Sequence, residues 1–129
     1  MQDLIKKALE AQQTSYSPYS NFKVGAAILT ANNKVFTGCN IENSSFSLTN
    51  CAERTAFFKA ISEGEKNFKA IAIVGGKDGI NSDFCVPCGA CLQVMKEFCN
   101  DDFTIIIAKD INNYVIKSLK ELLPLTFTL

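Results

Sequence analysis

Leu4, Ile5, Ala8 and Leu9 recur at i, i+1, i+4 and i+5, one stripe of an amphipathic helix, and predict a helix over residues 2–14. The polar run Tyr16-Ser17-Pro18-Tyr19-Ser20-Asn21 reads as a turn. Phe22 to Leu29 is apolar and strand-like, Asn32-Asn33 suits a tight turn, and Lys34 to Asn40 returns as a second strand. Ile41 to Asn50 is polar and irregular. A helix is expected to start near Cys51, to turn Ala52, Ala56, Phe57, Ala60 and Ile61 toward the core, and to stop at Gly64, a residue type that ends helices. Ala70 to Val74 predicts a buried strand, and Gly75 to Val86 a long loop rich in Gly, Asp and Asn. Pro87 suits the opening of a helix, where its missing N–H costs nothing, and that helix is expected to carry Cys88 through Cys99. Phe103 to Ala108, centred on Ile105-Ile106-Ile107, predicts a strand, and Asn112-Asn113 turns it into another at Tyr114 to Lys117. The connection is far too short for a helical crossover, which needs about a dozen residues, so these last two strands must be antiparallel neighbours. Ser118 to Leu123 predicts a short final helix stopped by Pro124.

The chain has 129 residues, of which 47% are hydrophobic, enough to bury the core of one domain spanning 1–129. No repeat, low-complexity tract or linker interrupts it. Thirteen basic residues balance 13 acidic ones with no basic block, which argues against a nucleic-acid partner. No apolar run approaches the ~20 residues of a membrane span. Met1-Gln2-Asp3-Leu4 lacks the basic and apolar regions of a signal peptide. No membrane partner and a cytoplasmic location are therefore expected. Six cysteines in that setting are expected to be reduced, and spaced cysteines there bind metal or do chemistry more often than they form disulfides. The sequence contains no histidine, which excludes Ser-His, Cys-His and His-metal mechanisms and leaves cysteines and carboxylates.

Those groups concentrate in two short stretches, Cys51-Ala52-Glu53 and Pro87-Cys88-Gly89-Ala90-Cys91. Cys88 and Cys91, three apart at a helix start, face the same way. Cys51 starts another helix, and the partial positive charge at helix N-termini lowers thiol pKa values. Three thiolates can hold Zn²⁺ and leave its fourth tetrahedral position open, with Glu53 beside it. A Cys-x-x-Cys pair alone would equally fit a redox couple or half of a structural four-cysteine site. Cys85 shares the three-residue spacing, but Pro87 pushes the residue before it out of helical geometry, so Cys85 is expected to precede the helix and not to bind. Asn40 and Glu42, two apart at a strand end, fall on one face, where an amide and a carboxylate can hold vicinal sugar hydroxyls. With no cluster of cations nearby, Glu42 would repel a phosphorylated ligand, so a free nucleoside fits better.

The order Cys, Glu, then Pro-Cys-x-x-Cys resembles the zinc deaminase signature. Phe22-Lys23-Val24-Gly25-Ala26-Ala27, Cys39-Asn40-Ile41-Glu42-Asn43 and Cys51-Ala52-Glu53-Arg54-Thr55-Ala56 narrow the likeness to the small cytidine deaminases that act on free nucleosides. It runs from about Tyr16 to Phe127. The resemblance implies an α/β fold, a three-layer α/β/α domain around a mixed sheet of about five strands, assembled as a homotetramer. It implies one Zn²⁺ per subunit on Cys51, Cys88 and Cys91, and Glu53 as the shuttle that carries protons to N3 of the pyrimidine and to the leaving amine. Arg54 would reach the ligand sulfurs, Phe22 would stack on the base, and the backbone N–H of Ala52 would meet the pyrimidine O2. Asn40 and Glu42 would bind the ribose 3′-hydroxyl, and Phe127 would enter a neighbouring subunit's site. The implied reaction converts cytidine and 2′-deoxycytidine to uridine and 2′-deoxyuridine, releasing ammonia, in pyrimidine salvage. Two positions depart from the family pattern: Phe46 stands where Tyr is frequent, and Leu92 where many relatives carry Arg, which leaves more of the thiolate charge to Arg54. Two alternatives stay open, a deaminase of a cytosine-containing antibiotic such as blasticidin S, and a structural zinc or thiol-redox module without hydrolase activity.

Overall fold

In the computed structural model, which describes residues 1–129, the apolar stretches assemble into one five-stranded sheet with helices on both faces. Helix α1 (Gln2–Gln12) leads into strands β1 (Phe22–Thr30) and β2 (Val35–Cys39). A single 3₁₀ turn (Phe46–Leu48) precedes α2 (Ala52–Ser62), β3 (Phe68–Lys77) and α3 (Gly89–Phe98). The chain closes with β4 (Thr104–Asp110), β5 (Asn113–Ser118) and the short α4 (Leu119–Leu122). The strand order is β2-β1-β3-β4-β5. Only β3 and β4 run parallel, joined by the α3 crossover, and the short β4–β5 connection makes that pair antiparallel, as its length requires.

The period of two along the central strands sorts their side chains into two cores. Ala72, Val74 and Ile106 turn to one face, where Leu4, Ile5 and Ala8 of α1 cover them. Ile71, Ile73, Ile105 and Ile107 turn to the other, against Ala56, Phe57 and Ala60 of α2 and Leu92 and Met95 of α3. Burial on both faces explains why these strands read as unbroken apolar runs. The result is the expected three-layer α/β/α arrangement around a mixed sheet.

Several boundaries differ from expectation by a few residues, and those of β3 and α3 bear on the site. Strand β3 continues through Lys77, because Gly75, Gly76 and Lys77 pair with Val24, Lys23 and Phe22 of β1, and the loop after it is correspondingly shorter. Pro87 lies outside α3: Cys88, with extended backbone (φ −72°, ψ 166°), is the N-cap, and the helix ends at Phe98 with Cys99 as its cap. Helix α2 is followed by Gly64 in the left-handed region (φ 96°), the conformation that made glycine the expected stop. Helix α4 is fixed by a capping box between Ser118 and Glu121.

Candidate active site

Helices α2 and α3 point their N-termini at one another on the same side of the sheet. Cys51 is the N-cap of α2 and Cys88 the N-cap of α3, while Cys91 sits in the first turn of α3. An N-cap side chain ordinarily turns inward to accept from the helix backbone. Neither thiol does so, and the sulfurs turn to each other instead. Cys51 Sγ lies 3.8 Å from Cys88 Sγ, Cys88 Sγ lies 3.6 Å from Cys91 Sγ, and all three fall within 4.8 Å of one another. A tetrahedral zinc with bonds of ~2.3 Å needs its sulfurs about 3.8 Å apart. The donor set and its spacing therefore fit three corners of a zinc site. Cys85 is not among the three. Its thiol is pushed up to about 12, first by burial, and its Sγ occupies the space beside Gly75.

Charge is managed from within α2. Arg54 Nη2 donates to Cys51 Sγ at 3.2 Å. The Cys51 thiol is drawn down to about 5, first by the hydrogen bond with Cys91 and then by Arg54, against the opposing effect of burial. Cys91 is pushed up as the other member of that pair and by its own burial. The contact with Cys51 holds the Arg54 guanidinium above its ordinary value. Its Nε is buried without a hydrogen bond, a cost that attraction to the thiolate sulfur offsets.

Glu53, 4% exposed, is one residue beyond the start of α2, and burial pushes its carboxyl up to about 7. It lines a cavity of about 210 Å³ with Cys51, Cys88, Ala52, Asn40, Val24, Thr49, Asn50, Cys85 and Val86. Two proposed ligands, the carboxylate and Ala52 at the helix tip thus share one hollow, and Cys91 lies within sulfur contact of it. A larger hollow of about 320 Å³ lies between α3 and the C-terminal tail and holds no comparable cluster.

The substrate-facing residues are placed unequally. Asn40 lines the cavity, yet its amide is already engaged: Oδ1 accepts from the Val24 N–H (2.9 Å) and from Ser15, and Nδ2 donates to the Phe22 carbonyl (2.7 Å). One N–H of Asn40 stays uncommitted by that count. Glu42 does not line the cavity; its Oε1 accepts from the Tyr19 and Ser20 N–H groups (3.0 and 3.1 Å), and the Ser20 hydroxyl holds its carboxyl below the usual carboxylate range. Phe22, 41% exposed, lines a neighbouring hollow that shares Cys85 with the first. Phe127 lies in the tail against α3, 66% exposed, and its carbonyl accepts from Gln93; within one chain it does not line the cavity of the cluster.

The comparisons with known proteins bear on this geometry. A family model described as "Cytidine and deoxycytidylate deaminase zinc-binding region" matches residues 1–107. A cytidine deaminase of Sporosarcina psychrophila is 44% identical over 128 residues, covering 99% of this chain and 91% of that protein. The chain belongs to the cytidine deaminase family. The crystal structure of the cytidine deaminase from Burkholderia pseudomallei superposes on this deaminase with a TM-score of 0.89, at 44% identity and 97% coverage of both chains. A blasticidin-S deaminase of Bacillus cereus is more distant, 30% identical over 98% of this chain and 91% of its own length.

In this deaminase Leu92 packs into the core under α3, so no second arginine stands beside the thiols. Phe46 lies exposed on the 3₁₀ turn. Sequence reasoning did not single out Thr49 and Asn50, which line the cavity, or Ser20, which bridges Glu42 and Phe22. The first two sit directly before Cys51, and that adjacency was the available signal. Ser20 lies in a turn and carries no local signal at all.

Proposed function

We propose that this chain catalyses the hydrolytic deamination of cytidine and 2′-deoxycytidine to uridine and 2′-deoxyuridine, with release of ammonia. The observation that carries the reading is the convergence of Cys51, Cys88 and Cys91 at sulfur distances fit for zinc, with the buried Glu53 in the same cavity. Zinc held by these thiols, one ion per subunit, would supply a water activated for attack at neutral pH.

The chain's own residues would do the rest. Glu53 takes a proton from the attacking water and passes it to N3 of the pyrimidine as the water oxygen adds to C4. It then takes the remaining proton from the new C4 hydroxyl and gives it to the amine as the C4–N bond breaks and C4=O forms, so that one water is consumed and one ammonia leaves. Arg54, at 3.2 Å from Cys51 Sγ, offsets the negative charge of three thiolates. The Ala52 N–H at the tip of α2 would hold the pyrimidine O2, the free N–H of Asn40 and the Glu42 carboxylate would meet the ribose 3′-hydroxyl, and Phe22 would stack on the base. The balance of 13 basic and 13 acidic residues supports a small neutral nucleoside as ligand over a polynucleotide.

Assembly as a homotetramer belongs to the same reading, with Phe127 entering a neighbouring subunit's site. The exposed apolar side chains Phe46, Leu48 and Phe127 support it, because such groups favour burial between subunits. No helix is long and apolar enough to cross a membrane. Cytoplasmic residence, suited to six free thiols, and a role in pyrimidine salvage complete the proposal.

Ultraviolet-monitored conversion of cytidine, with blasticidin S assayed alongside, tests the reading. Rapid formation of uridine, lost on stripping the metal with a strong chelator and restored by zinc, is expected. Faster turnover of blasticidin S, or activity indifferent to the chelator, would overturn it.

A further inference from the structure

We propose that Ser20 is a positioning residue that fixes Phe22 against the reactive cavity, an inference that rests on the nucleoside deaminase reading. Strand β2 ends at Cys39, opposite Gly25, so from Val24 back to Phe22 β1 is paired with β3 on one edge and has no strand on the other. Side chains replace the missing strand. The Asn40 amide accepts from the Val24 N–H and donates to the Phe22 carbonyl. The Phe22 N–H donates to Ser20 Oγ at 3.0 Å, and the Ser20 hydroxyl in turn donates to Glu42 Oε2. Both backbone groups of Phe22 are therefore held by side chains, one directly by Asn40 and one through Ser20 by Glu42.

Phe22 itself is 41% exposed. Asn21, just before it, is in the left-handed region (φ 57°), and the ring lies exposed over Gly75, where an added Cβ would come within 3.2 Å of it. The same Cβ would meet Cys85 Sγ at 2.7 Å, and Cys85 also lines the cavity of the cluster. The pose of the ring beside the site is consequently set by the backbone at Phe22, which pairs with Lys77 of β3 on one edge and is held by the two side-chain hydrogen bonds on the other. Ser20 is exposed and makes no core contact. Its hydroxyl can be removed without opening a cavity, which frees the Phe22 N–H and one oxygen of Glu42.

The test is a double-mutant cycle on cytidine kinetics with Ser20→Ala, Phe22→Ala and both together. Stacking is felt equally by substrate and transition state, so Ser20→Ala should raise KM by about tenfold with kcat little changed. Ser20→Thr, which keeps the hydroxyl, should restore KM. In the Phe22→Ala background the further change to Ala at Ser20 should alter kcat/KM by less than about twofold, because the ring is gone and Glu42 stays held through Oε1 by the Tyr19 and Ser20 N–H groups. Independent, multiplying losses would overturn the inference while leaving the deaminase reading intact. NMR of selectively labelled phenylalanine rings gives a readout that needs no turnover. The Phe22 signal should move in Ser20→Ala and stay in place in Ser20→Thr. A fixed Phe22 signal in Ser20→Ala would refute the positioning role, and a wild-type protein without deaminase activity would instead refute the functional reading.

Discussion

Gly38 of β2 is where the sheet meets the helix that carries the chemistry, and Gly38→Ala probes how tightly that contact sets the site. A Cβ there would lie 2.5 Å from the Ala56 N, 2.6 Å from the Ala52 carbonyl and 2.9 Å from Thr55 Cβ, where ordinary contact begins at 3.4 Å. Two of these are backbone atoms of α2, which cannot swing aside, so the helix must retreat by about 0.9 Å. It takes with it Cys51 at its cap and Glu53 and Arg54 in its first turn, whereas Cys88 and Cys91 stay with α3. A zinc–sulfur bond tolerates deviations of only ~0.2 Å. A misplacement of ~1 Å costs on the order of 10²-fold in turnover, and overpacking of this kind costs about 1–3 kcal/mol of stability. Gly38→Ala should therefore fold, lose about 100-fold in kcat/KM for cytidine, bind zinc more weakly on dialysis against graded chelator, and melt some 4–12 °C lower. Wild-type kcat/KM with a full complement of zinc would show that α2 has slack against β2, and that the close approach does not set the site.

Three further outcomes follow from the geometry. Glu53→Gln keeps the shape of the helix tip but cannot shuttle a proton; kcat should fall by about 10²–10⁴-fold while metal analysis still finds one zinc per chain, and normal ammonia release would point to a structural zinc module. Arg54→Gln removes the cation 3.2 Å from Cys51 Sγ; with Leu92 offering no substitute, kcat/KM or zinc affinity should drop by about 10–100-fold, and near-wild-type values would refute the charge argument. Phe57→Ala empties the fully buried position where Phe68, Phe98 and Phe103 converge at ring separations of 5.1–6.5 Å; urea unfolding should show a loss of about 3–5 kcal/mol, and a loss below about 1 kcal/mol would mean the cluster repacks.

Where structure is local, the chain announces it. Leu4, Ile5 and Ala8 mark the buried stripe of α1. The brevity of the link between β4 and β5 dictates an antiparallel pair, and the thiols that converge were visible from their spacing at two helix starts. Features that depend on a distant partner were not legible. Strand β3 extends through Gly75, Gly76 and Lys77 only because Phe22 to Val24, some fifty residues earlier, pair with them. The spacing of Asn40 and Glu42 predicts one face for both, yet Asn40 lines the cavity and Glu42 does not. It cannot reveal that both first serve the chain's own backbone between Tyr19 and Val24. A polar side chain beside a cavity has the same signature whether it awaits a ligand or already holds a neighbour. Pro87 shows the limit of a local rule: it suits a helix start, but the extended backbone of Cys88, which turns its sulfur toward Cys51, moves the start two residues on.

X-ray absorption at the zinc edge of the wild-type protein bears most directly on the central claim, that three thiols hold the metal and leave its fourth corner for chemistry. Three sulfurs at ~2.3 Å and one lighter oxygen-type ligand at ~2.0 Å are predicted, with the same shell in Cys85→Ser. A shell of four sulfurs would contradict the claim, because a closed site has no corner left at which to activate water.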